Sequence, residues 1–134
     1  MNPFTPVLVG VSQILERGFD PEAIREPIDL MLAAAKAAAA DSQSPDILSA
    51  IDSVRVVRGV WRYKQPAGYL ATALGLENAE LVGTPFGGNS VQALVSQTAL
   101  DILSGDIEGA LVVGAEVGNT QAKLAKMGQT MTYR

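Results

Sequence analysis

Short, apolar, β-branched runs alternate along this chain with stretches of helix-forming residues, and that alternation restricts it to a layered α/β fold. The runs fall at residues 7–11 (Val-Leu-Val-Gly-Val), 54–60, 80–83 and 110–114. Each is too short for a helix and is bounded by Pro, Gly or polar residues, as a strand would be. The connections between them are long enough for crossover helices, so at least part of the sheet is expected to be parallel. Residues 110–114 (Ala-Leu-Val-Val-Gly) are unbroken and apolar, which predicts a central strand covered on both faces. In residues 54–60, charges interrupt the apolar pattern at Arg55 and Arg58, which predicts a partly exposed strand. With 134 residues, 48% of them hydrophobic, the chain suits one compact domain.

The helices are legible from their caps and spacing. Pro27 sits where a missing N–H costs nothing, and Ile28, Met31, Leu32 and Ala35 follow at core-facing positions of a helix over 28–40. A second helix is predicted over 66–76, with Tyr69, Leu70, Ala73 and Leu74 spaced as a stripe and Gly75 as its stop. A third follows Ser90, with Val91, Leu94, Val95, Thr98 and Ile102 on one side, closing at Ser104-Gly105. A short turn at 47–50 and a helix over 121–126 complete the pattern, and residues 16–26 read as a loop.

Composition removes several function classes. The formal charge is −4 and the pI about 4.7, so no basic face is on offer to neutralise nucleic-acid phosphates. Arg55, Arg58, Arg62 and Lys64 lie close together, and the simplest expectation for them is a solvated strand end. Cys and His are both absent, which removes disulfides, thiolate metal sites and the commonest nucleophile–base pairs. No metal site is expected. Residues 1–13 lack the pattern of a secretory leader, and residues 30–40, interrupted by Lys36, fall short of the ~20 apolar residues of a membrane span. The expectation is a cytoplasmic protein that neither enters membranes nor binds nucleic acid.

One segment carries an evident chemical possibility. Gly87-Gly88-Asn89-Ser90 joins a strand to a helix, and its free N–H groups could receive an oxyanion, carboxylate or phosphate. The plainer alternative is a tight turn capped by Asn89 or Ser90. Nucleotide motifs are missing: no Gly-Lys pair exists for a P-loop, and Gly10 is followed by Val-Ser-Gln rather than a dinucleotide fingerprint. No nucleophile elbow is present, and Ser90 has no His to serve it as a base. Asp101, Asp106 and Glu108 read as a solvated helix end. Trp61 and Tyr63 could line a pocket or interface, with packing as the cheaper explanation.

In their order and spacing, several segments resemble thiolase-like acetyl-CoA acetyltransferases. These are Pro-Val-Leu-Val-Gly-Val-Ser-Gln at 6–13, Glu-Pro-Ile-Asp-Leu-Met at 26–31, Ala-Ile-Asp-Ser-Val at 50–54, Gly-Gly-Asn-Ser-Val-Gln-Ala-Leu at 87–94 and Gly-Ala-Glu at 114–116. The resemblance implies a thiolase-like layered α/β fold, with residues 1–134 as an incomplete N-terminal domain: a first-half mixed sheet with flanking helices. The second half, which carries the family's other catalytic motifs, is not in this sequence. The helix from Ser90 would be a central buried one.

The family's nucleophilic Cys sits at the start of that helix, and the resemblance places Gly87 at its position. Gly forms no acyl-enzyme, so no catalytic residue is assigned, and Gly87, Gly88, Asn89 and Ser90 remain as substrate-binding candidates. No cofactor is implied, but a coenzyme A thioester would be the ligand. The family also dimerises through an edge strand of its first half, which implies a homodimer through Glu80, Leu81 and Val82. Three readings follow: an acyltransferase acting on acyl-CoA, a non-catalytic acyl-CoA-binding or scaffolding subunit, and an unrelated α/β binding domain.

Overall fold

The computed structural model describes residues 2–134 and contains a three-stranded parallel sheet flanked by helices. In chain order the elements are α1 (Pro27–Asp41), a 3₁₀ turn (Ile47–Ala50), β1 (Ser53–Val56), α2 (Pro66–Ala73), β2 (Glu80–Gly83), α3 (Ser90–Leu103), β3 (Ala110–Val113) and α4 (Gly118–Lys126). The strand order is β2-β1-β3, with Ser53 level with Glu80 on one side and Ala110 on the other. All the pairing among the described residues is parallel. Most elements lie within a few residues of the boundaries that spacing and caps predict, and Gly75 and Gly105 close α2 and α3 at φ +74° and +84°.

The two faces of β1 differ, because successive side chains point to opposite sides of a strand. Val54 and Val56 face α1 and α2 and pack with Ile28, Met31, Leu70 and Ala71 into the apolar core. Ser53 and Arg55 face α3, where the contacts are polar: Arg55 donates to Ser53 and Thr98 and pairs with Asp101. Hydrophobic burial is therefore concentrated on one side of the sheet.

Three expectations are corrected. The central strand is β1, buried throughout, and β3 is an edge with only Val113 fully buried. The charge pattern misleads because Arg55 is buried at 3% exposure and neutralised by α3, not solvated. Residues 7–11 form no strand: Val7, Leu8, Val9 and Val11 are exposed, since a cavity of about 540 Å³ separates them from the free edge of β3. An apolar run favours extended backbone, but a strand also needs a partner for its N–H and C=O groups. Within this chain α3 is covered on one side only: Leu94 and Thr98 pack inward while Val91, Val95, Leu100 and Leu103 are exposed.

The N-terminal segment is held at one crossing. The Val11 N–H donates to Asp41 at 2.8 Å, and Gly10 lies so close to α1 that an added Cβ would run into the Ala38 carbonyl. No helix among the described residues is long and apolar enough to cross a membrane.

Candidate functional site at the strand ends

Three loops leave the C-terminal ends of the parallel strands, where open α/β sheets bind their ligands. Hydrogen bonds lock these loops together. The Thr84 hydroxyl, just after β2, accepts the Arg58 N–H at 2.9 Å, just after β1. The Glu116 carboxylate, after β3, accepts the Val60 N–H at 2.8 Å, and the Trp61 indole donates to the Ala115 carbonyl at 3.2 Å. From α4, Gln121 donates to the Val60 carbonyl and to the Tyr133 hydroxyl.

The Gly-rich loop lies beside this group at the start of α3. Asn89 is the N-cap residue, yet no side chain caps the helix. The Ser90 hydroxyl turns back to donate to the Pro85 carbonyl at 3.1 Å, so it braces the loop and leaves the first turn of α3 without a side-chain acceptor. The tight turn is present, since the Gly87 carbonyl accepts the Ser90 N–H at 3.1 Å, but it has no side-chain cap, and neither glycine has the positive φ that would require glycine. A Cβ on Gly88 would meet nothing within 4 Å, and one on Gly87 would meet only the side chains of Asn89 and Ser90, at 3.0 and 3.2 Å. What the two glycines provide is open space over a helix N-terminus with its partial positive charge.

Next to the loop is a cavity of about 1030 Å³, open to solvent, whose walls include Arg58, Trp61, Tyr69, Phe86 and Gln121. The Arg58 guanidinium lies between two rings, 4.9 Å from the Trp61 centroid and 4.8 Å from that of Phe86, at cation–π range. Trp61 and Tyr63 are therefore both packing residues and wall residues: their rings are 5.2 Å apart, and Tyr63 meets Tyr133 edge-on at 5.3 Å. Spacing alone could not reveal this, because the cavity brings residues near 60, 86, 121 and 133 together.

Behind the cavity, the Tyr63 hydroxyl donates to Glu26 at 3.0 Å and accepts the Ile28 N–H at 3.1 Å. Burial raises the phenol above its usual pKa, the Ile28 hydrogen bond opposes that shift, and the Glu26 interaction adds to it. Arg134 pairs with Asp29 and Glu26, and the Asp29 hydrogen bond holds its guanidinium more firmly protonated. Glu80, Leu81 and Val82 form the outer edge of the sheet, away from this site, with Leu81 exposed. Of the helix-end carboxylates, Asp101 engages Arg55, while Asp106 and Glu108 are solvated. Among the described residues, no cluster of three or more carboxylates forms a metal site.

No protein-family model and no curated protein matches the sequence. Among solved structures, the chain is similar to the crystal structure of an SCP2-thiolase-like protein type 1 from Mycobacterium smegmatis, described as monomeric. The identity is 31% and the TM-score 0.75, over 87% of this chain and 24% of that one. The chain thus spans about a quarter of the length of the structure it matches. At that level of similarity the fold of this chain is thiolase-like.

Proposed function

We propose that this chain is the N-terminal part of a thiolase-like protein of the acetyl-CoA acetyltransferase kind, and that the loop at 87–90 receives the thioester of an acyl-CoA. The observation that carries the reading is the uncapped start of α3 beneath two glycines that no backbone geometry requires. Backbone N–H groups at a helix start can polarise a thioester carbonyl or hold an oxyanion without a side chain. By the sequence resemblance, Gly87 stands where the family's nucleophilic Cys would be, so an acyl-enzyme cannot form at that position.

The same glycine favours a second reading, a non-catalytic acyl-CoA-binding or scaffolding subunit. Both readings use the thiolase-like fold, and they differ in chemistry rather than in binding. The free edge of β2 at Glu80–Val82 is where a second copy would add in a homodimer, and light scattering of the purified chain tests that arm independently.

Calorimetric titration of this chain with acetyl-CoA tests binding, and assay of thiolysis and condensation by the longer protein of which it is proposed to be part separates the readings. Binding with turnover supports the acyltransferase. Binding without turnover supports the scaffolding subunit. No binding of acetyl-CoA or of a longer acyl-CoA would sink the proposed function.

A further inference from the structure

We propose that Arg58 is the anion-binding residue of the strand-end cavity, taking a carboxylate or phosphate carried by a ligand whose body lies against the aromatic wall. Three observations converge on it. First, every charged residue lining the cavity is basic: Arg58, Arg62, Lys64 and Arg134, in a chain of net charge −4. Second, Arg134 is spent on Asp29 and Glu26, whereas among the described residues Arg58 forms no ion pair and its side chain donates no hydrogen bond. Third, Arg58 is half-buried, with Trp61 and Phe86 as its ring contacts.

That combination is specific. Two rings at cation–π range hold a guanidinium in place without engaging its N–H donors, which stay free for a ligand. A planar fork held in this way matches the two oxygens of a carboxylate or phosphate. Backbone hydrogen bonds from Arg58 to Thr84 and from Val60 to Glu116 fix the loop that carries it. Phe86 directly precedes Gly87, so the anion site and the thioester loop share one segment. The identity of the ligand as an acyl-CoA rests on the function proposed above; the anion site itself does not. Within that reading, the anion is the distal carboxylate of a dicarboxylic acyl chain or a phosphate of coenzyme A.

Trp61, the single tryptophan, lies at cation–π range of Arg58 and gives an intrinsic fluorescence signal for occupancy of the cavity. The full chain and its Arg58→Gln and Arg58→Lys variants are titrated with glutaryl-CoA, valeryl-CoA, free coenzyme A and free glutarate, with circular dichroism confirming each fold. A carboxylate site gives glutaryl-CoA about tenfold tighter binding than valeryl-CoA, a preference lost in Arg58→Gln and reduced in Arg58→Lys. If Arg58→Gln instead weakens all three coenzyme A ligands alike, the site stands and its anion is a phosphate. If no coenzyme A compound binds but glutarate quenches Trp61 in an Arg58-dependent way, the acyl-CoA reading fails and the anion site stands. Affinities unchanged in both variants, or no response to any of the four probes, would overturn the proposal. Should Arg58→Gln not fold, the Arg58→Lys comparison decides alone.

Discussion

The guanidinium of Arg55, within β1, lies 2.8 Å from the Asp101 carboxylate on α3. Thr98 and Ser53 complete its hydrogen bonds, and Glu80 on β2 approaches at 3.2 Å. One side chain thus ties α3 to two strands on the face of the sheet that lacks an apolar core. Removing Arg55 leaves Asp101 without its counter-ion and the buried Ser53 and Thr98 hydroxyls without the donor it supplies. Arg55→Ala is expected to lower stability in urea denaturation, by less than the loss of a fully buried pair because the Asp101 and Glu80 carboxylates both reach solvent. Arg55→Met, which fills the space without the charge, is expected to cost less. Equal stability of Arg55→Ala and wild type would show that α3 is held by other contacts.

The Asp101 carboxyl titrates below its usual range, chiefly through the hydrogen bond from Gln97, with Arg55 adding to it. A carboxylate whose folded pKa lies below its unfolded value stabilises the fold above the unfolded value of about 4, and that contribution disappears as pH falls through the folded one. Stability of the wild type should therefore decline at acid pH with a component that Asp101→Asn lacks. Parallel acid-unfolding curves for the two proteins would remove Asp101 as the source.

Tyr63 gives the opposite sign at the other end of the scale. Burial is the main reason its phenol resists ionisation. A raised folded pKa means the stabilisation is fully present below the unfolded value of about 10 and is lost as pH rises above it. Tyr63→Phe should flatten the alkaline decline. It also leaves the Ile28 N–H at the start of α1 without its acceptor, which is expected to cost about 1–2 kcal/mol at neutral pH. Thermal melts of both proteins at pH 7 and pH 10.5 provide the check, and an unchanged alkaline slope in Tyr63→Phe would count against the assignment.

The parts of the fold legible in the sequence are those set by local rules. Pro27 and Pro66 mark helix starts, Gly75 and Gly105 mark stops, and Ile28, Met31 and Ala35 reach the core as their spacing predicts. What sequence misjudges depends on partners. Residues 7–11 have strand composition without a neighbouring strand, β3 has the apolar character of a central strand at an edge, and Arg55 looks solvated because its partner is 46 positions away, at Asp101. At the site, the glycine loop is visible in the sequence. The Arg58 sandwich is not, since Phe86 lies on a different loop and its approach is a tertiary event.

Gly10 tests how the N-terminal segment is held. Its missing Cβ lets the segment cross α1 against the Ala38 carbonyl, and the neighbouring Val11 N–H reaches Asp41 from there. Gly10→Ala should push the segment off α1 while leaving the core of Ile28, Met31, Val54 and Leu70 intact. Limited proteolysis is then expected to cut near residues 8–12 faster in the variant, with an unchanged far-ultraviolet spectrum. Identical cleavage rates would mean that the crossing carries no weight.

Gly87 offers the most direct test of the loop. A Cβ there meets only the Asn89 and Ser90 side chains, at 3.0 and 3.2 Å, and the backbone is not in the left-handed region, so a side chain needs little more than a rotation of Asn89. Gly87→Cys is therefore expected to fold with stability within about 1 kcal/mol of wild type, the loss of glycine's freedom in the unfolded chain offsetting the crowding. The new thiol would sit at the uncapped start of α3, where the helix dipole favours the thiolate and lowers the pKa below the ordinary ~8.5. Alkylation by iodoacetamide at pH 7 should then outpace that of an unfolded cysteine peptide. A thiol of ordinary reactivity in a folded Gly87→Cys protein would show that the helix start does not stabilise negative charge at this position, and the loop would lose its claim to the thioester.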